Sequence, residues 1–124
     1  MTRILLADNN PDLRSALRLL LKTRFGLEFI FDASDMEGIL AQLEDAHPDC
    51  VILDWELPGC PQGERIPLLR SRLPGLKVIA LSLRPESETS ARESGVEAFV
   101  CKTEPPSVIL NAIQTLCRLE RQQK

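Results

Sequence analysis

Apolar residues in this chain fall into short runs, separated by stretches where they recur every three or four positions. The runs Ile4 to Ala7, Phe29 to Phe31, Cys50 to Leu53, Val78 to Leu81 and Ala98 to Cys101 have the length of β-strands. Several are nearly continuous rather than alternating, the pattern of strands covered on both faces. Between them, Leu13, Ala16, Leu17, Leu20 and Leu21 share one helical face, with Asn10 as N-cap and Pro11 in the first turn. A second helix carries Met36, Ile39, Leu40 and Leu43; Ser34 and Glu37 have the spacing of a capping box, and Pro48 marks its end.

A third helix is expected between Gly63 and Leu73, with Ile66, Leu69 and Leu73 inward and Pro67 near its first turn. The fourth segment, Arg84 to Ser94, has Pro85 as a start, Gly95 as a stop and almost no apolar residues, so it should pack weakly and be mobile. The last helix begins near Pro105 and Pro106 and buries Val108, Ile109, Ala112, Ile113 and Leu116, with a polar tail expected to fray from about residue 119.

Strict β-α alternation with right-handed crossovers predicts an α/β, flavodoxin-like, doubly wound five-stranded parallel sheet of order 2-1-3-4-5 with five helices. At 124 residues the chain is expected to form a single domain, 1–124. In such sheets ligands bind at the carboxyl ends of the strands beside the point where strand order reverses, here just after Ala7 and Leu53.

Composition narrows the function classes. An apolar fraction of 44% with 27% charged residues is ordinary globular usage and implies no membrane. The Ile4 to Ala7 run is too short for a signal-peptide core and meets Asp8 at once, which places the expected location in the cytoplasm. A net charge of −3 argues against direct nucleic-acid binding by this domain. Cys50, Cys60, Cys101 and Cys117 form no CxxC pair and His47 is the only histidine, too few ligands for zinc, so reduced thiols are expected. Cys60, in the Pro-rich LPGCPQG, is the thiol most open to oxidation.

The strand ends carry the chemistry: Asp8 and Asn9 after the first, Asp54 after the third, Ser82 after the fourth and Lys102 after the fifth. Two carboxylates, an amide and backbone carbonyls are the hard oxygen ligands that Mg²⁺ prefers, and a lysine with a hydroxyl can pair phosphate oxygens. A nucleotide would want a Gly- or Ser-rich loop after the first strand, whereas Asp8-Asn9-Asn10-Pro11 repels an uncompensated phosphate. Each residue alone has a plain structural explanation; four at four adjacent strand ends do not.

Through ILLADNNPDLR, VILDWELPG, VIALS and AFVCK, the sequence resembles the response-regulator receiver family of two-component signalling (CheY-like) over essentially its whole length. The resemblance implies Asp54 as phospho-acceptor, with Lys102 and Ser82 assisting. It implies a Mg²⁺ site from Asp8, Asn9, Asp54 and the Glu56 backbone carbonyl, and Ser82 with Phe99 as the switch pair. By analogy a sensor histidine kinase or histidine phosphotransfer protein docks near Arg14, Ser15 and Arg18, and the fourth helix, fifth strand and fifth helix form the responding face and a homodimer surface. Such a domain is a signalling module rather than an enzyme. The receiver pattern is also that of regulators carrying a C-terminal helix-turn-helix, and a stand-alone regulator and a piece of a longer one both fit.

Three positions depart from the family pattern. Asn9 stands where a second metal-binding carboxylate is usual, which predicts weaker Mg²⁺ binding, and Glu56 either turns into the cleft to compensate or points to solvent. Ser82 replaces the commoner threonine. Thr103 follows Lys102 in place of the common proline, so a cis peptide there would carry a large penalty. Two further readings stand beside the receiver: a degenerate receiver acting as a phosphorylation-independent interaction module, and an aspartate phosphatase, which would want an acid at Asn10.

Overall fold

The computed structural model describes residues 1–120. Five parallel strands, β1 (Arg3–Ala7), β2 (Phe29–Ala33), β3 (Cys50–Asp54), β4 (Lys77–Ser82) and β5 (Ala98–Cys101), form one sheet in the order β2-β1-β3-β4-β5. The helices are α1 (Pro11–Phe25), α2 (Met36–Ala46), α3 (Gln62–Arg72), α4 (Glu88–Glu93) and α5 (Pro106–Cys117), and a 3₁₀ turn over Pro85–Ser87 leads into α4. This is the flavodoxin-like α/β architecture expected from the alternation.

The continuous apolar runs are explained by the two cores they serve. Val51, Leu53, Val78 and Ala80 face Met36, Ile39 and Leu43 of α2 and Ile66 and Leu69 of α3. Cys50, Ile52, Ile79 and Leu81 face Leu17 and Leu21 of α1 and Ile109 and Ile113 of α5. Fully burying one such aliphatic chain is worth about 1.5–3 kcal/mol, and a central strand contributes on both faces.

Local signals hold with specific corrections. Asn10 caps α1 through Oδ1, which accepts from Asp12 and Leu13 N–H at 3.0 and 3.2 Å. The α2 cap is Asp35 rather than Ser34: its Oδ1 accepts from Gly38 N–H at 2.7 Å, so no Ser34–Glu37 box forms. Pro67 lies inside α3 rather than in its first turn, on the exposed side where the carbonyl it cannot serve can turn to water. In α5, Leu110 is buried beside Ile109 and Ile113, whereas Val108 is turned outward. Ala16 of α1 is likewise exposed. α4 buries only Ala91, as its polar sequence predicts. Leu119 packs against the α1/α5 core and donates its N–H to Gln114 O, so that part of the expected tail is held; residues 121–124 lie outside the described residues.

Candidate functional site

The ends of β1, β3 and β5 deliver Asp8, Asp54 and Lys102 to one cleft. Asp8 N–H donates to Ala33 O at 3.0 Å, prolonging the β1/β2 ladder by one residue, and Asp8 Oδ1 accepts from Asn10 N–H at 2.9 Å, closing the turn into α1. Trp55 N–H donates to Leu81 O at 2.7 Å and Leu57 N–H to Asp54 O at 3.1 Å, so β3 ends in a tight turn directly after Asp54. Lys102 N–H donates to Ser82 O at 2.8 Å, carrying the β4/β5 register on to Lys102.

These continuations bring the predicted charges together. Lys102 Nζ lies 2.9 Å from Asp8 Oδ2 and 3.4 Å from Asp54 Oδ1. Asp54 is only 4% exposed, and its Oδ1 also accepts from Glu56 N–H at 3.0 Å, while no protein donor reaches Oδ2 among the described residues. Burial and the neighbouring Asp8 charge push the Asp54 carboxyl above its ordinary range, against the pull of Lys102 and the Glu56 N–H. Burial alone would lower the Lys102 pKa, but the hydrogen bond to Asp8 and the charges of Asp54 and Asp8 outweigh it and hold the ammonium above its usual value. The Lys102–Thr103 bond is trans, as is every described peptide bond.

The donor chemistry fits a hard divalent cation. Asp8 Oδ2 is buried with Lys102 Nζ at 2.9 Å as its counter-charge, and no protein donor reaches Asp54 Oδ2 among the described residues. Asn9 is exposed beside them. No group of three or more His, Cys, Asp or Glu side chains gathers for a metal among the described residues, so a cation would rely on two carboxylates, an amide and a carbonyl.

Glu56 turns inward rather than to solvent, but its carboxylate is taken up by donors at the end of β4. Its side chain crosses to the end of β4, where Oε2 accepts from Ser82 Oγ at 2.7 Å and Oε1 from Leu83 N–H at 3.1 Å. Ser82 is fully buried and its Oγ also accepts from Arg84 N–H at 2.9 Å. Phe99 is half-buried and lines a groove of about 260 Å³ with Pro85, Glu88 and Val108. Arg14 and Arg18 are not free cations: Arg14 donates to Asp8 O and faces Asp32 at 3.6 Å, and Arg18 donates to Ile30 O at 2.9 Å and pairs with Asp32.

Arg65 escaped the sequence reading. It is 2% exposed, and its guanidinium donates to the carbonyls of Trp55, Leu57 and Cys60 at 2.8, 2.6 and 2.6 Å. The signal was its place four residues before Leu69, within the apolar stripe of α3, where a charge must find buried partners.

The chain matches the family model described as response regulator receiver domain over residues 4–114. The transcriptional activator protein ExaE of Pseudomonas putida is 33% identical over 113 residues, which are 90% of this chain and 53% of that protein. This chain thus spans about half the length of the curated relatives it matches. A two-component response regulator of the LuxR family from Aurantimonas sp. SI85-9A1 superposes with a TM-score of 0.83 at 25% identity, covering 99% of this chain and 90% of the other. The response regulator TrrA of Thermotoga maritima, solved in complex with Mg²⁺-BeF, superposes with a TM-score of 0.80 at 25% identity over 94% of this chain and 99% of the other. Sheet order, strand-end acids with their lysine, and a family match along nearly the whole length agree: the chain belongs to the response regulator receiver family of two-component systems.

Proposed function

We propose that this chain accepts a phosphoryl group on Asp54 from a histidine kinase or histidine phosphotransfer protein, and that occupancy of Asp54 is read on the surface of α4, β5 and α5. The observation that carries this reading is the Asp54 carboxylate itself: one oxygen is held by Glu56 N–H and faced by Lys102, and the other accepts from no protein donor among the described residues. A held carboxylate with one free oxygen is oriented for in-line attack on phosphorus.

Asp8, Asn9, Asp54 and the Glu56 carbonyl would hold Mg²⁺, which when bound neutralises charge developing on the transferred group. Lys102 stays protonated and is 3.4 Å from Asp54 Oδ1, close enough to pair with an added phosphoryl oxygen after a small shift. Ser82 supplies a hydroxyl at the next strand end. Two charge-assisted hydrogen bonds are worth roughly 1.5–3 kcal/mol each, against about 5.5 kcal/mol needed to move an equilibrium from 1:99 to 99:1. On this reading Phe99 follows Ser82 inward, and the sparsely packed α4 offers the least resistance to the movement.

The surrounding assignments follow from this reading. The domain works as a signalling module in the cytoplasm without touching nucleic acid itself; a homodimer through the α4/β5/α5 face is the corresponding assembly. No helix among the described residues is long and apolar enough to cross a membrane. The 1–124 stretch acts as one receiver domain.

The test is incubation with Mg²⁺ and acetyl phosphate or phosphoramidate, followed by intact mass spectrometry. One added phosphoryl group, dependent on Mg²⁺ and absent from Asp54→Asn, is the expected result. A folded sample that gains no adduct would replace this reading with a phosphorylation-independent interaction module.

A further inference from the structure

We propose that Arg65 is a positioning residue that sets the direction of the Glu56 backbone carbonyl, and through it the affinity of the cleft for a divalent cation. The proposal rests on the receiver chemistry above and goes beyond it, because Arg65 touches neither the acceptor nor the metal.

The geometry is that of a clamp around one residue. Arg65 Nη1 donates to Trp55 O at 2.8 Å and Nη2 to Leu57 O at 2.6 Å, the carbonyls on either side of Glu56. Nη2 also donates to Cys60 O at 2.6 Å, and Gln62 Nε2 donates to Trp55 O at 2.8 Å. The guanidinium carbon stands 6.0 Å from the centre of the buried Trp55 ring, which supports the cation from one side. With Leu57 N–H bonded to Asp54 O at 3.1 Å, three of the four carbonyls from Asp54 to Leu57 have donors. Glu56 O has none among the described residues.

The direction of that remaining carbonyl follows from peptide planarity. Glu56 C=O and Leu57 N–H belong to one trans peptide unit and point in opposite directions. The N–H is fixed toward Asp54 O, so the carbonyl points the other way, and the flanking peptide planes are held by Arg65. Without the clamp, Leu57 O would be a buried acceptor lacking a donor and Trp55 O would keep only Gln62 Nε2, and the turn would re-form to satisfy them.

A planar fork reaches several carbonyls at once, and an ammonium does not reproduce that arrangement. Arg65 also has no carboxylate within salt-bridge distance among the described residues, so its partners are the carbonyl dipoles of this one loop. A site short of one carboxylate at Asn9 depends more than usual on a well-aimed neutral ligand.

The experiment is calorimetric titration of the full chain with Mg²⁺ for wild type, Arg65→Met and Arg65→Lys, alongside melting curves and the rate of phosphorylation by acetyl phosphate as a function of Mg²⁺. Arg65→Met is expected to bind Mg²⁺ about tenfold more weakly and to raise the half-saturating Mg²⁺ by the same factor, with the rate at saturating Mg²⁺ within about twofold of wild type. Arg65→Lys should fall between the two. A folded Arg65→Met with wild-type Mg²⁺ affinity, or one that loses maximal rate at unchanged affinity, overturns the proposal. Should Arg65→Met fail to fold, Arg65→Lys is judged by the same criterion. Wild type that binds no Mg²⁺ overturns the receiver chemistry itself, a result distinct from wild type binding and Arg65→Met binding equally well.

Discussion

Ser82 Oγ donates a 2.7 Å hydrogen bond to Glu56 Oε2, so the hydroxyl that an acyl phosphate on Asp54 would recruit is already engaged by a carboxylate. A bond to a charged acceptor is worth roughly 1.5–3 kcal/mol, the same range as the bond Ser82 would make to a phosphoryl oxygen. Exchanging one for the other gains little. On the proposed receiver reading, the Ser82 contact therefore adds little to the switch while Glu56 holds the hydroxyl, and Glu56 would act as a brake.

Removing the brake should tighten the activated state. Glu56→Ala is expected to bind beryllofluoride, with Mg²⁺ present, about tenfold more tightly than wild type, and Glu56→Gln a few-fold more tightly because a neutral acceptor holds the hydroxyl less strongly. Titration followed by amide chemical shifts of Ser82 and its neighbours reads this directly. Equal or weaker binding by Glu56→Ala would show that the Ser82–Glu56 bond does not oppose activation.

Asp54 carries its charge at a cost in stability. Its folded-state pKa is raised by burial and by Asp8, so the ionised form is disfavoured relative to the unfolded chain, where the value is about 3.9. The penalty is full above the folded pKa, shrinks as pH falls between the two values and is gone below the unfolded one. Asp54→Asn should thus raise the melting temperature at pH 7 by a few degrees, roughly 3–6 °C per kcal/mol for a chain of this size, and the gain should vanish in acid. A gain independent of pH down to about pH 3 would place its origin elsewhere.

The fold and the cluster of acids were legible because they rest on period and position. Two-sided burial writes continuous apolar runs such as Cys50 to Leu53, and strand order then brings Asp8 and Asp54 together at the carboxyl ends of the adjacent strands β1 and β3. What period does not encode is where a long side chain ends. Glu56 finds Ser82 across the cleft, and Arg65 turns inward to three carbonyls, through contacts between residues 26 and as many as 10 positions apart. The α2 cap missed by one residue for a related reason: Ser34 and Asp35 are both good caps, and only the path of the chain out of β2 selects Asp35.

Pro67 offers a stability test free of the site. Inside α3 it withholds the N–H that would bond one turn back, yet its ring faces solvent. Pro67→Ala restores that donor and should raise the melting temperature by several degrees, about 1 kcal/mol or more, while leaving Mg²⁺ affinity unchanged. A fall in stability would mean that the restricted unfolded chain given by proline outweighs the lost hydrogen bond.

On the proposed receiver reading, Asn9 sets how much cation affinity this cleft would give up. At ~4 Å and an effective dielectric near 20, a unit charge acting on another is worth about 4 kcal/mol, and less where water enters, as it does at exposed Asn9. Asn9→Asp should tighten Mg²⁺ binding by about tenfold or more by calorimetry. The same substitution places a third carboxylate beside Asp8 and Asp54, with Lys102 already shared between those two at 2.9 and 3.4 Å. Without Mg²⁺ the variant should consequently melt below wild type, and with saturating Mg²⁺ above it, since binding to the folded state alone adds stability with the logarithm of ligand over dissociation constant. That crossing of the two melting curves is the specific signature. A variant that melts lower under both conditions and binds Mg²⁺ no more tightly would remove residue 9 from the metal site.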